Sequence, residues 1–208
     1  MNKKSEKINW DVFYKAIQQE NWGEIEELLK NPDFIIAKDL FGCTALHYVC
    51  AHGNFDLVKY LIKKGAEVNV QNNQGETPLH LAIDYDTEQS TSIAKYLLDH
   101  GALIEVKDKW NWTPLYKAVM SPYNLEIVVY LIAKGASFKE GFDDYGYTVL
   151  HWAIARSKGR LEVVQYLVEK GADVLVKTEC GKTAIDIAQE EGHSLIKEYL
   201  EKRISQNS

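Results

Sequence analysis

The chain has 208 residues, 46% of them apolar, enough to bury the core of one large domain or two small ones. Its net charge of -6, with acidic and basic residues interspersed throughout, speaks against a surface built to neutralise phosphates, so nucleic-acid binding is not expected. The three cysteines, Cys43, Cys50 and Cys180, show no C-x-x-C spacing and suggest neither a disulfide framework nor a zinc site.

The opening segment MNKKSEKINW has lysines but no apolar run behind them, which does not read as a secretory signal. No stretch approaches the roughly 20 apolar residues of a membrane helix, so the expectation is a monomeric protein without membrane attachment, in the cytoplasm. Residues 1–9 read as a flexible tail. Residues 10–41 keep helical apolar positions at Ala16 and at Leu28 and Leu29, with Gly23 between them, and the helical part is expected to be ended by Asn31-Pro32.

From residue 42 onward the chain repeats itself. An opening string recurs as GCTALH, GETPLH, NWTPLY, GYTVLH and GKTAID, starting at residues 42, 75, 111, 146 and 181. A closing string recurs as LIKKGA, LLDHGA, LIAKGA and LVEKGA, ending at Ala66, Ala102, Ala136 and Ala172. A fixed period in this range marks a repeat architecture. Within each unit, Thr is placed to cap a first helix, and Pro78 and Pro114 stand where a helix begins and a missing N–H costs nothing. A second helix follows with apolar residues in pairs four apart, such as Leu57, Val58, Leu61 and Ile62, and it stops at Gly65, Gly101, Gly135 or Gly171.

The two strings in register at this period resemble the ankyrin repeat. The resemblance implies an all-α repeat solenoid in which two helices per repeat are joined by a β-hairpin-like turn. The expected units are a capping repeat at 10–41, full repeats at 42–74, 75–110, 111–145 and 146–180, and a second cap at 181–203, before a flexible tail at 204–208. Extra residues relative to the period are expected in loops, the longest at 84–92.

Several residue sets invite a chemical reading. His47, His80 and His151 hold the same place in three openings, but equivalent positions of stacked helices lie roughly 10 Å apart, too far to share one metal. A structural role is favoured for them, and no metal or cofactor is expected. No nucleophile arrangement or phosphate-binding glycine loop is present, so an enzyme is not expected. Tyr60, Tyr96, Tyr130 and Tyr166 recur at one position of the second helix and read as a packing ladder.

Turn tips favour small polar residues, so the rings at Trp110, Trp112, Tyr145 and Tyr147 run against local preference. In ankyrin arrays the tips and first helices line a concave groove that commonly takes protein partners. The resemblance therefore implies a non-enzymatic interaction module or scaffold that binds a protein or peptide through Phe41, Asp84, Tyr85, Trp110, Trp112, Asp144, Tyr145, Tyr147, Trp152 and Arg156. The competing reading has these rings packing on one another and on Trp152 to stiffen the turns. A second function, a secreted effector of an intracellular microbe acting in the host cytosol, is compatible with the Lys-, Asn-, Ile- and Tyr-rich composition. Asn69, in the string EVNVQN, is at a position where ankyrin asparagines can be hydroxylated, although a turn-stabilising side chain is the simpler reading.

Overall fold

Thr and Gly punctuation converts the apolar pattern into paired helices in the computed structural model of the chain, which describes residues 8–85, 87–121, 125–138, 143, 145–156 and 161–207. The described residues form thirteen helices and no strand. The chain divides into two compact units, Met1–Ala102 and Leu103–Ser208.

The first unit opens with α1 (Trp10–Gln18), α2 (Trp22–Leu28) and α3 (Asp33–Ile36), followed by α4 (Ala45–Ala51), α5 (Phe55–Lys63), α6 (Pro78–Asp84) and α7 (Ser90–Asp99). Here α4 packs against α5 and α6, α6 against α7, and α5 against α7. The second unit holds α8 (Pro114–Met120), α9 (Leu125–Ala133), α10 (Val149–Arg156), α11 (Leu161–Glu169), α12 (Ala184–Glu190) and α13 (Ser194–Asn207). First helices α8, α10 and α12 pack in sequence, as do second helices α9, α11 and α13.

The core follows the pattern of pairs. Leu57, Val58 and Leu61 are buried in α5, Ile93, Ala94 and Leu97 in α7, Ile127, Val128 and Leu131 in α9, and Val164, Leu167 and Val168 in α11. Each fully buried aliphatic side chain contributes on the order of 2 kcal/mol. At the end of α5, Gly65 adopts φ +91° and the next N–H, of Ala66, reaches back to Leu61 O at 3.0 Å, satisfying a carbonyl the helix would otherwise leave open. The same bond joins Ala102 to Leu97, Ala136 to Leu131 and Ala172 to Leu167.

Three local expectations are modified. Asn31-Pro32 does not end helical structure: Pro32 holds φ -61° in the helical region, Asn31 Oδ1 accepts the N–H of Asp33 at 3.0 Å, and the chain turns once more as α3. The loop expected at 84–92 is shorter, because the Thr87 N–H donates to Ser90 Oγ at 2.7 Å and α7 starts at Ser90. Helix α13 continues through Asn207, into the segment expected to fray.

The tyrosines of the second helices are half-buried, and each ring is covered by the residue four positions on. The ammonium groups of Lys64, Lys134 and Lys170 lie 5.5, 5.3 and 5.5 Å from the rings of Tyr60, Tyr130 and Tyr166. The His100 ring lies 3.9 Å from Tyr96. Contact between neighbouring second helices is made at this level by Phe55, edge-on to Tyr96 at 5.5 Å.

Candidate functional site

Each turn tip is built around one acceptor side chain, three residues before the opening Gly. Asp39 Oδ1 accepts the N–H groups of Phe41 and Cys43, both at 2.8 Å, and Asn72 Oδ1 accepts those of Gln74 and Glu76 at 2.8 and 3.0 Å. In the second unit Asp108 Oδ1 takes Trp110 (2.8 Å) and Trp112 (3.0 Å), and Asp143 Oδ1 takes Tyr145 and Tyr147, both at 2.9 Å. Thr178 Oγ1 takes Lys182 at 3.2 Å. At the four Asp and Asn tips these side-chain turns fold two donors onto one oxygen. The backbone then reverses through a left-handed residue: φ is +73° at Gly146 and +63° at Asn111, which stands where the other tips have Gly.

Neither the apolar pattern nor the two repeated strings includes these acceptors. Their signal was present as DLFG, NNQG, DKWN, DDYG and TECG, a column of Asp, Asn, Asp, Asp and Thr in constant register.

The second carboxylate oxygen of each tip acid faces a donor group on the following helix: at Asp39 and Asp143 it accepts a hydrogen bond, and at Asp108 it accepts none from the described residues and stands at ion-pair distance. Asp39 Oδ2 accepts the hydroxyls of Tyr48 (2.6 Å) and Tyr14. Burial, reinforced by that bond to Asp39, pushes the Tyr14 phenol up to about 12. Asp143 Oδ2 accepts the indole N–H of Trp152 at 2.7 Å. Asp108 Oδ2 lies 3.8 Å from Lys117 Nζ, and both side chains are almost completely buried.

On this frame the second unit gathers a continuous group of rings. Trp110 and Trp112 lie 5.9 Å apart, Trp112 meets Trp152 edge-on at 6.1 Å, and Tyr147 tilts against Trp152 at 5.1 Å. Lys117 Nζ stands 5.9 Å from the Trp110 ring and 5.4 Å from the Trp112 ring, while the exposed Arg156 guanidinium stacks 5.5 Å from Trp152. Such pairings contribute roughly 0.5–2 kcal/mol each, more as water is excluded. Exposure divides the rings: Trp110 is 48% and Tyr145 70% exposed, whereas Trp112, Tyr147 and Trp152 are half-buried beneath. Trp112, Tyr147 and Trp152 pack on one another; Trp110, which also packs on Trp112, and Tyr145 stand more open to solvent.

The other expected site residues lie elsewhere. Phe41 is 65% exposed at the first tip of the first unit, beside Leu40, which is 94% exposed. Both border a cleft of about 480 Å³ lined also by Trp10 and Tyr14, two residues outside the expected site. Asp84 ends α6 and Tyr85, 62% exposed, caps it. Asp144 lies outside the described residues. Asn69 is half-buried and its side-chain amide donates to Gly101 O at 2.8 Å.

His47, His80 and His151 are buried and each bonds to the Thr that opens its own helix. His47 is fully buried; its Nδ1 accepts the N–H of Thr44 at 3.0 Å, which leaves the proton on Nε2, 3.2 Å from Glu76 O in the next turn. Burial lowers its pKa to about 4. His80 and His151 make the same bond to Thr77 and Thr148, both at 3.1 Å, and burial lowers the His151 pKa as well. Tyr116 replaces this histidine in the repeat of α8. Its hydroxyl donates to Tyr147 O at 3.2 Å, the carbonyl equivalent to that of Glu76, so the phenol spans the same gap as the imidazole. Burial, followed by the charge of Asp143, pushes that phenol up. Among the described residues, no group of three or more His, Cys, Asp or Glu side chains could hold a metal ion. No described helix is long and apolar enough to cross a membrane.

Comparison with known proteins matches a family model described as ankyrin repeats (3 copies) to residues 13–108 and 90–178. The chain is 31% identical to the tyrosine-protein kinase Shark of Drosophila melanogaster over 91% of its own length and 16% of the kinase. It is 39% identical to the transient receptor potential cation channel subfamily A member 1 homolog of Caenorhabditis elegans over 36% of its own length and 6% of the channel. Identity to an ankyrin repeat protein of Rickettsia bellii is 34%, over 37% of this chain and 49% of that one. The chain thus spans at most about half the length of these relatives.

Proposed function

The chain belongs to the ankyrin-repeat family, whose repeats are generally protein–protein interaction modules, and we propose that it binds a protein or peptide through the ring-bearing turn tips of its second unit. One observation carries this reading: Trp110 and Tyr145 stand exposed on tips whose backbone is already anchored by Asp108 and Asp143. Exposed rings on a rigid frame lose little freedom on binding and are the residue types that dominate interface energies. Arg156, held against Trp152, offers a charge beside them that sets register with the partner.

The module acts by surface recognition and carries out no reaction of its own, in keeping with repeats that are typically non-enzymatic. We assign the cytoplasm as its compartment, supported by three cysteines that are all free. Asn69 is assigned to the scaffold: its bond to Gly101 O supports a loop-tying role over a modification site.

The test is a pull-down with the parent chain, identification of the captured protein by mass spectrometry, and calorimetric titration of that protein against Trp110→Ala and Tyr145→Ala. Because Asp108 and Asp143 hold the tips through backbone N–H groups, both variants retain the fold, checked by circular dichroism. Each substitution is expected to weaken binding roughly 30-fold, the effect of a hot-spot residue. Folded variants that bind as tightly as the parent would sink the proposal.

A further inference from the structure

In every turn tip the acceptor residue has a fixed counterpart nine positions later, on the first helix. The five pairs are Asp39 with Tyr48, Asn72 with Leu81, Asp108 with Lys117, Asp143 with Trp152 and Thr178 with Ile187. Their chemistry is matched. Where the tip residue is a carboxylate, the counterpart is a donor that faces its second oxygen: the Tyr48 hydroxyl at 2.6 Å, the Lys117 ammonium at 3.8 Å and the Trp152 indole N–H at 2.7 Å. Where the tip residue is Asn or Thr, with no second carboxylate oxygen to satisfy, the counterpart is a buried aliphatic residue.

We infer that these two positions form one coupled unit, and that Lys117 is a positioning residue for the tip rings of the second unit. The need is electrostatic. The Asp108 side chain has no exposure, and a buried carboxylate requires a charged or donating neighbour. Asp108 Oδ1 is committed to the N–H groups of Trp110 and Trp112, so Oδ2 is the atom open to Lys117. The ammonium group also faces the indoles of Trp110 and Trp112. One cation therefore ties the anchor of the tip to the two rings that the tip carries. Trp152 plays the corresponding part in the next tip, using its N–H on Asp143 and its ring against Tyr147 and Trp112. Only the consequence for affinity rests on the binding role proposed above; the coupling itself does not.

The experiment compares Lys117→Leu, Asp108→Asn, the double variant and Lys117→Arg by thermal unfolding and by fluorine NMR of the 5-fluorotryptophan-labelled chain. Lys117→Leu strands a buried charge and is expected to lower the apparent midpoint by roughly 6 °C or more. The double variant recreates the pair present at Asn72 and Leu81, and is expected to regain most of that loss. In the folded double variant the Trp110 and Trp112 resonances move toward the free-indole position and broaden, while those of Trp10 and Trp22 hold. Lys117→Arg keeps a cation over the rings and leaves the Trp110 and Trp112 resonances in place. Strictly additive losses for the two single changes would overturn the coupling, and unchanged Trp110 and Trp112 resonances in the double variant would overturn the positioning role. Neither readout involves a partner, so failure here is separate from failure of the binding proposal.

Discussion

Acidification should unlock the chain through its buried histidines before carboxylates contribute much. In the folded state His47 has a pKa of about 4, lowered by burial, against about 6.5 for an unperturbed imidazole in the unfolded chain. Above pH 6.5 both states hold the ring neutral and the full stability is present. Between pH 6.5 and 4 the unfolded chain takes up a proton that the folded chain refuses, so stability falls as pH falls. Below about pH 4 both states are charged and the loss levels off. At pH 5 the penalty from this one residue is on the order of 2 kcal/mol, or roughly 4–8 °C in the midpoint. His151, lowered for the same reason, adds to it. The assay is the far-ultraviolet melting midpoint from pH 7.5 to 4.5, for the parent and for His47→Gln. The glutamine variant should start lower at pH 7.5, because it disturbs the cap at Thr44, and should fall less steeply with acid. Parallel curves for the two proteins, or a parent midpoint flat down to pH 5, would refute the reasoning.

Two further predictions concern the backbone. Gly146 and Gly181 share φ near +75°, but a Cβ at Gly146 would lie 2.8 Å from the backbone N of Glu179, whereas at Gly181 it would meet nothing within 4 Å. Gly181→Ala should therefore cost about 1 kcal/mol of backbone strain and Gly146→Ala about 2–4 kcal/mol, compared by urea midpoints; equal losses would contradict the close approach. Glu20 is exposed and holds φ +51°, so Glu20→Gly should gain about 0.5–1 kcal/mol, read by the same titration.

Much of this architecture was legible because it is written more than once. The pairs of apolar residues four apart, the Thr caps and the closing Gly each recur in step, and each corresponds to a helix face, a helix start or a left-handed stop. What recurs with variation was harder to read. Asp108 and Asp143 gave no signal through hydrophobicity, and their importance depends on a first helix folding back so that Lys117 and Trp152 reach the free oxygen. That reach is a property of the turn, not of any local window. The division of labour among the rings also needed three dimensions: Trp112 and Tyr147 read like Trp110 and Tyr145 in sequence, and only packing separates the half-buried from the exposed. At 84–92 the misjudged loop length came from Ser90, a single hydroxyl that turned an apparent insertion into the start of α7.

The tips spend their main-chain hydrogen bonds internally. Besides the donors taken by the tip acids, the N–H of Asn73 reaches Phe41 O at 2.8 Å within the first unit, and the N–H of Glu179 reaches Tyr145 O at 3.1 Å within the second. A strand approaching these turns finds those backbone groups already engaged, so neither pairing by strand addition nor sheet-like aggregation has purchase there. Outward-facing tip side chains such as Phe41 and Tyr145 are thereby decoupled from the main-chain bonds that hold the fold. They are positions where evolution, or an engineer, can exchange one partner for another while leaving the scaffold alone.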